Sequence, residues 1–415
     1  MQTHRRPVIV AVGQFVNRSH DPSDIKDTLD MTEIAVRRAE EDAGVGPLIE
    51  KVDHLCVVNM LSSLDPDPSR MIAERIGAKP DKLLYTWVGA TAPQWFVNRM
   101  AEEIANGSCR LALICGGEAF HSRLLAARLG KGKKWNWEFP KKRSSMVGDL
   151  RNPLSLLEQH YGITLPVQIY PLFENALRHH EGLSLDEHKK ELGAFCTKMT
   201  EIACKNPYAW FREKKEIEDI LFPTHENRMI CFPYTKRMCS IMEVDQSAAL
   251  FMTDEETAKG FGIPDEKWVY VHGIGDASDI WHVSKRANFY SSPSVKVAAN
   301  MAMDQAGISI HDIEFFDLYS CFPCAPRITR DMLGLARDDP RSLTVTGGMP
   351  YFGGPGNNYA LHAICRMAEI LRERPRTFGM VQALSWFISK HAVGIYSGKP
   401  PGSQWRLSDL QAYQG

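Results

Sequence analysis

Thirteen residues, Gly347 to Tyr359, hold five glycines and two prolines directly ahead of an apolar-periodic helical stretch. Glycine allows positive φ and close backbone approach, and a loop feeding a helix N-terminus presents free N–H groups to an anion or a polarised carbonyl. Gly353, Gly354, Gly356, Asn357 and Asn358 are therefore candidate ligand-binding residues, with a purely structural turn as the alternative. His362 follows Tyr359 by three residues, so on a helix the two share a face and the imidazole can orient the phenol or simply pack. Cys321 is either a nucleophile or a small buried hydrophobe, and the Cys321-Phe322-Pro323-Cys324 spacing lacks the βαβ context of a redox pair. His179, His180 and His188 read as solvated helix residues, with no carboxylate spaced to make a metal site.

The chain that must position these residues has 415 of them, enough for two or three domain-sized units. A hydrophobic share of 44%, a charged share of 24% and a net charge of −1 describe a globular protein without a field to gather nucleic acid. The ten cysteines lie mostly in apolar runs, which points to reduced thiols and a cytoplasmic setting. Neither a signal-peptide pattern nor an apolar run of membrane-spanning length is present.

Val8 to Val12 reads as a buried strand, followed by a helix at about 29–43 stopped by Gly44 and a strand from Val52 to Val58. The same order returns in a helix ending Ala306-Gly307 and a strand from Ile313 to Tyr319. A second matched pair joins Met100-Ala101-Glu102-Glu103-Ile104 and the strand Leu111 to Cys115 with Met367-Ala368-Glu369-Ile370-Leu371 and the strand Phe378 to Val381. Two matched helix–strand units in order, about 265 residues apart, predict a duplicated α/β domain. The boundaries are 1–119 with 241–280 for the first half, 120–240 for a helical insertion, and 281–415 for the second half.

The duplication, the insertion, the blocks Pro233-Tyr234-Thr235-Lys236 and Val244 to Leu250, and the Gly-rich loop together resemble the thiolase superfamily, near its sterol-carrier-protein-type branch. Asp317-Leu318-Tyr319-Ser320-Cys321-Phe322-Pro323, the Gly347 to Tyr359 loop and Lys390 to Ser397 resemble the thiolase-like proteins of type 1, without their additional C-terminal domain. The resemblance implies an α/β fold, a five-layered αβαβα sandwich. It also implies a homodimer formed through the strand bearing Leu111 to Cys115. The family's nucleophilic cysteine falls at Ala90, its motif asparagine at Tyr319, its Gly-His-Pro histidine at Gly354, and its late cysteine motif near Ala383 to Trp386, where no cysteine stands. With all four positions changed, Claisen chemistry by the ordinary acyl-cysteine route is not expected.

Some thiolase-fold proteins lacking this cysteine cleave β-hydroxyacyl-CoA by a retro-aldol step, using tyrosines and a partner with zinc-ribbon and OB-like domains. Such a step needs a base for the hydroxyl proton and a donor for the thioester enolate, which the resemblance assigns to Tyr319 and Tyr359, with His391 as acid or base and His362 in support. Lys133 and Arg143, in a cationic stretch running from Lys131, either hold the phosphates of coenzyme A, as the resemblance implies, or form a solvated basic loop, the thioester being a substrate with no permanently bound cofactor. Two other readings stay open: a noncatalytic acyl-CoA-binding or scaffolding subunit, and an acyltransferase acting through Cys321.

Overall fold

The computed structural model describes residues 5–132, 143–402 and 405. The first half opens with strand β1 (Pro7–Val16), helix α1 (Thr28–Ala43), β2 (His54–Val57), α2 (Pro68–Ile76), β3 (Lys82–Thr86), α3 (Ala92–Ala105) and β4 (Leu111–Ala119). Then come α4 (Phe120–Arg128), β5 (Ser145–Val147), α5 (Leu156–His160), α6 (Pro166–His180), α7 (Leu185–Ala203), α8 (Ile217–Leu221), and the hairpin of β6 (Met229–Cys231) and β7 (Tyr234–Thr235). The chain returns through β8 (Asp245–Asp254), α9 (Glu255–Gly260), β9 (Val269–Ser278) and α10 (Pro293–Ala306). It ends with β10 (Ile313–Leu318), α11 (Cys324–Met332), the single turn α12 (Met349–Phe352), α13 (Tyr359–Glu373), β11 (Phe378–Ser385) and β12 (Lys390–Ser397).

Local signals fix the helix ends. Asp27 and Asp30 form a reciprocal cap at the start of α1, and Gly44 closes it in the left-handed conformation at φ 71°. Gly307 closes α10 in the same way at φ 67°. The strands run β5-β3-β2-β4-β8-β1-β9-β12-β11-β10, with β1 and β9 meeting at only two residue pairs. In the order β2-β4-β8-β1 the first pair is parallel and the next two antiparallel, and β10-β11-β12-β9 repeats this pattern of directions. Helices α3 and α13 fill the layer between the two sheets, α1 and α2 cover the first sheet outside, and α10 covers the second. The fold is a five-layered αβαβα sandwich.

Three sequence expectations change. The 241–280 boundary puts β9 in the first half, yet β9 pairs along its length with β12 and so opens the second half as β1 opens the first. The strand Leu111 to Cys115 cannot carry a dimer contact through its edge, because β4 is interior and hydrogen-bonded on both sides, to β2 and β8. His188 is buried, its Nε2 3.1 Å from a Glu174 oxygen inside a cluster with Arg327 and Tyr234. Among the described residues no helix is long and apolar enough to cross a membrane.

Candidate active site

Three segments converge on the loop ahead of α3. The Gly89 N–H donates to Asn357 Oδ1 at 3.0 Å, and Asn357 Nδ2 donates to the Asn59 carbonyl at 3.1 Å. Thr91 donates its N–H to Ser385 Oγ at 2.7 Å, and the two hydroxyls lie 2.8 Å apart. The Gly-rich loop and the end of β11 thus clamp the segment bearing Ala90. Ser385 went unnoticed in the sequence; the gap at Ala383 to Trp386 was the only signal near it.

The turn from β11 to β12 is strained, because Trp386 and Ile388 adopt φ 58° and 56°, a region that a β-branched side chain strongly disfavours. It is held by Tyr170, whose hydroxyl donates to the Trp386 carbonyl at 2.8 Å, and by Arg286, which donates to the Phe387 carbonyl and to Ser389 Oγ. Lys390 and His391 follow. His391 is the second residue of β12. Its tautomer follows from its partners: Gln382 Oε1 accepts the Tyr319 N–H, so the Gln382 amide donates to His391 Nδ1 at 2.9 Å. His391 Nε2 then carries the proton and donates to Ser292 Oγ at 3.0 Å, and Ser292 donates to Asp279 at 2.5 Å. Burial lowers the His391 pKa to about 4, so the ring is neutral at physiological pH.

A cavity of about 560 Å³ opens beside this loop, with Trp87, Thr91, Trp95, Asp276, Lys390 and His391 among its lining residues. Asp276, two residues before the end of β9, accepts a hydrogen bond from Asn98 Nδ2 at 3.0 Å and is pushed up to about 7 by desolvation. Burial also lowers the Lys390 pKa, against the pull of Asp149 and Asp276. Asp276 carried no motif in the sequence, and Lys390 entered only as the first residue of the Lys390 to Ser397 block, with no role of its own.

Of the five catalytic candidates only His391 borders this cavity. Tyr359 is buried, with its hydroxyl donating to Asp317 Oδ1 at 3.0 Å and lying 2.6 Å from Thr346 Oγ1. Asp317 also gathers the backbone N–H groups of Val345 and Thr346, so Tyr359 belongs to a network that folds the Gly-rich loop. Tyr319 stands edge-on to Tyr359 at 5.5 Å, and its hydroxyl has no hydrogen bond among the described residues. His362 does not orient Tyr359; its Nδ1 lies 2.9 Å from Gln14 Oε1, and burial lowers its pKa to about 3. Desolvation pushes the Cys321 thiol up to about 12, the reverse of nucleophilic activation.

The glycines of the loop serve close packing within the protein. A Cβ on Gly353 would stand 2.4 Å from Gln246 Oε1, one on Gly354 2.0 Å from Ser240 Oγ, and one on Gly356 2.3 Å from Glu118 Oε1. Asn358 donates to the Gly116 carbonyl at 2.8 Å. All five positions expected to bind a ligand are therefore engaged with the protein itself. Lys133 lies outside the described residues, and Arg143, just ahead of β5, borders neither the cavity at α3 nor a second one of about 660 Å³ in the insertion. This second cavity is bordered by Trp210, Arg212, Arg228, Lys236, Arg237 and Tyr351.

No protein-family model matches the chain. The monomeric SCP2-thiolase like protein type 1 from Mycobacterium smegmatis superposes with a TM-score of 0.84 at 31% identity, covering 100% of this chain and 81% of that one. The Ltp2-ChsH2(DUF35) aldolase gives 0.71 at 17% identity over 94% and 97% of the two chains. Human mitochondrial 3-ketoacyl-CoA thiolase in complex with CoA gives 0.63 at 16%, over 95% and 98%. Among curated proteins, the benzoylsuccinyl-CoA thiolase subunit BbsB of Thauera aromatica is 26% identical over 146 residues, 35% of this chain and 36% of its own. The matched stretch spans about a third of the length of such curated relatives. The full-length likeness at 31% identity, on a fold whose two sheets repeat one strand order, means that the chain belongs to the SCP2-type, thiolase-like branch of the thiolase superfamily.

Proposed function

We propose that this protein processes acyl-CoA thioesters by breaking or making a carbon–carbon bond in a retro-aldol sense, without an acyl-cysteine. The observation that carries the reading is the cavity at α3. Gly89 and Thr91 line it on either side of Ala90, the position that the resemblance gives the family's nucleophile, and among the described residues Asp276, Lys390 and His391 border it and no cysteine does. A retro-aldol step asks for proton transfer and enolate stabilisation, and groups of this kind are suited to both. Tyr319 is the better of the two tyrosines for a donor, since its hydroxyl makes no hydrogen bond among the described residues while that of Tyr359 is spent on Asp317; it stands in the cluster against which Ala90 packs, outside the lining of the α3 cavity. The likeness to the Ltp2-ChsH2(DUF35) aldolase supports the reaction class and a partner subunit, for which the sequence resemblance implies zinc-ribbon and OB-like domains.

Coenzyme A would lie over the insertion. Arg212, Arg228 and Lys236 border the larger cavity without an ion pair among the described residues, beside the indole of Trp210, a set suited to phosphates and an adenine. The ten unpaired cysteines support the reducing, cytoplasmic setting expected from the sequence. A noncatalytic acyl-CoA-binding subunit is the second reading, favoured by the structural engagement of Tyr359 and His362.

The test incubates the protein, alone and with a zinc-ribbon partner, with β-hydroxyacyl-CoA and β-ketoacyl-CoA esters and follows products by mass spectrometry. Cleavage of the hydroxy ester that survives Cys321→Ala and is lost in Tyr319→Phe is the expected result. Binding of every ester without turnover would establish the noncatalytic reading, and loss on Cys321→Ala would establish an acyltransferase.

A further inference from the structure

The cavity at α3 contains an amine that no described residue pairs. Lys390 opens β12 opposite Ser278 of β9, and its Nζ lies 3.7 Å from the place a Cβ on Gly89 would occupy, so it reaches over the α3 loop. Among the described residues it makes no hydrogen bond and no ion pair. Its acidic neighbours are engaged elsewhere: Asp149 with Arg151 at 2.6 Å, and Asp276 with Asn98. The Trp87 and Trp95 side chains and Met301 give the same cavity apolar walls.

We propose that Lys390 forms an imine with a small aldehyde or ketone held in this cavity, with Asp276 as the acid that releases the carbonyl oxygen as water. A desolvated lysine is the group that carbonyl-condensing enzymes use, because only the free amine has a lone pair to attack. Here the lowered pKa of Lys390 enlarges that free fraction, and the value of about 7 at Asp276 leaves it a proton to give near neutrality. An anionic ligand fits less well, since Asp149 and the nearby Glu102 would repel it, and the positive charges facing it are those of Lys390 and the paired Arg151. The steps balance. The nitrogen lone pair attacks the carbonyl carbon while Asp276 protonates the oxygen; the nitrogen then returns a proton to Asp276, which passes it to the hydroxyl. Water leaves as the C=N bond forms, and nothing is oxidised or reduced.

This inference deepens the proposed function, because an aldehyde or ketone is the second fragment of a retro-aldol cleavage, but its test uses no CoA ester. The whole protein is treated with butanal and cyanoborohydride at neutral pH, and reduced adducts are mapped by peptide mass spectrometry. Lys390 is expected to be alkylated ahead of the exposed Lys79 and Lys296, with the adduct lost from that peptide in Lys390→Arg and the other lysines unchanged. Labelling of Lys390 no faster than Lys79 would overturn the proposal. Asp276→Asn separates the acid from a mere charge effect: removing a neighbouring anion frees more amine, so labelling would rise if only charge mattered, and it falls if Asp276 supplies the proton. A labelled Lys390 with no ester cleavage would sink the proposed function alone. Ester cleavage that persists in Lys390→Arg, with no label on the wild type, would sink this inference alone.

Discussion

Asp276 is a carboxyl group held against its own charge. With its folded pKa raised to about 7, the native protein keeps a proton that the unfolded chain releases near the ordinary aspartate value. Between those two values the folded state binds more protons, so stability falls as pH rises through the window and levels off above about 7. Asp276→Asn removes that slope. The stability of the variant relative to wild type, from urea unfolding, is expected to be more favourable at pH 7.5 than at pH 5; an equal difference at both would mean that Asp276 is not held protonated. Cys321 gives the matching prediction for a thiol. At about 12 its thiolate is scarce at pH 8, so iodoacetamide should modify it at least about a hundredfold more slowly than a free cysteine peptide, and acyl-CoA should offer no protection to measure.

The Gly-rich loop keeps its shape through contacts at both ends, and Gly353 combines a close contact with a positive φ at which to test them. Its φ of 109° suits glycine alone, and the Gln246 side chain that a Cβ would strike is fixed by donating to the carbonyls of Phe352 and Tyr208, at 2.8 and 3.0 Å. Gly353→Ala should therefore cost about 1–3 kcal/mol or more in urea unfolding, and a neutral substitution would show the loop to be adaptable. Much at this scale was legible in the sequence. Gly44 and Gly307 marked real helix ends, and the runs from Val8 and Ile313 became strands, because periodicity and stop signals are local. The site was less legible. Glycine richness signals close approach without saying to what, and here the partners are Gln246, Ser240 and Glu118. Asp276 and Lys390 reach one cavity only because β9 and β12 pair antiparallel in one register, a fact that no local pattern contains.

At the scale of the molecule, the open question is how the first sheet ends. The outermost long strand is β3, and the last three of its five residues, Leu84 to Thr86, pair with β5 from the insertion. An unpaired edge invites another chain to continue the sheet, and a short covering strand removes much of that invitation. Because β4 is interior and β3 is covered, neither strand offers a continuous edge across which two copies could join this sheet. The same insertion turns large apolar side chains outward on and beside α5: Leu156 is 85% exposed, Tyr161 71% and Leu150 68%. That face suits a different subunit better than a sheet-to-sheet dimer, since it presents side chains and no backbone ladder. Sedimentation velocity of the isolated protein across a wide concentration range is therefore expected to give one species at the chain mass of 46.8 kDa. With a zinc-ribbon partner added, a heavier complex should form, and Leu156→Glu should weaken it without shifting the monomer. A species of twice the chain mass in the protein alone would mean that two copies meet through another surface, and the blocked β3 edge would no longer decide the assembly.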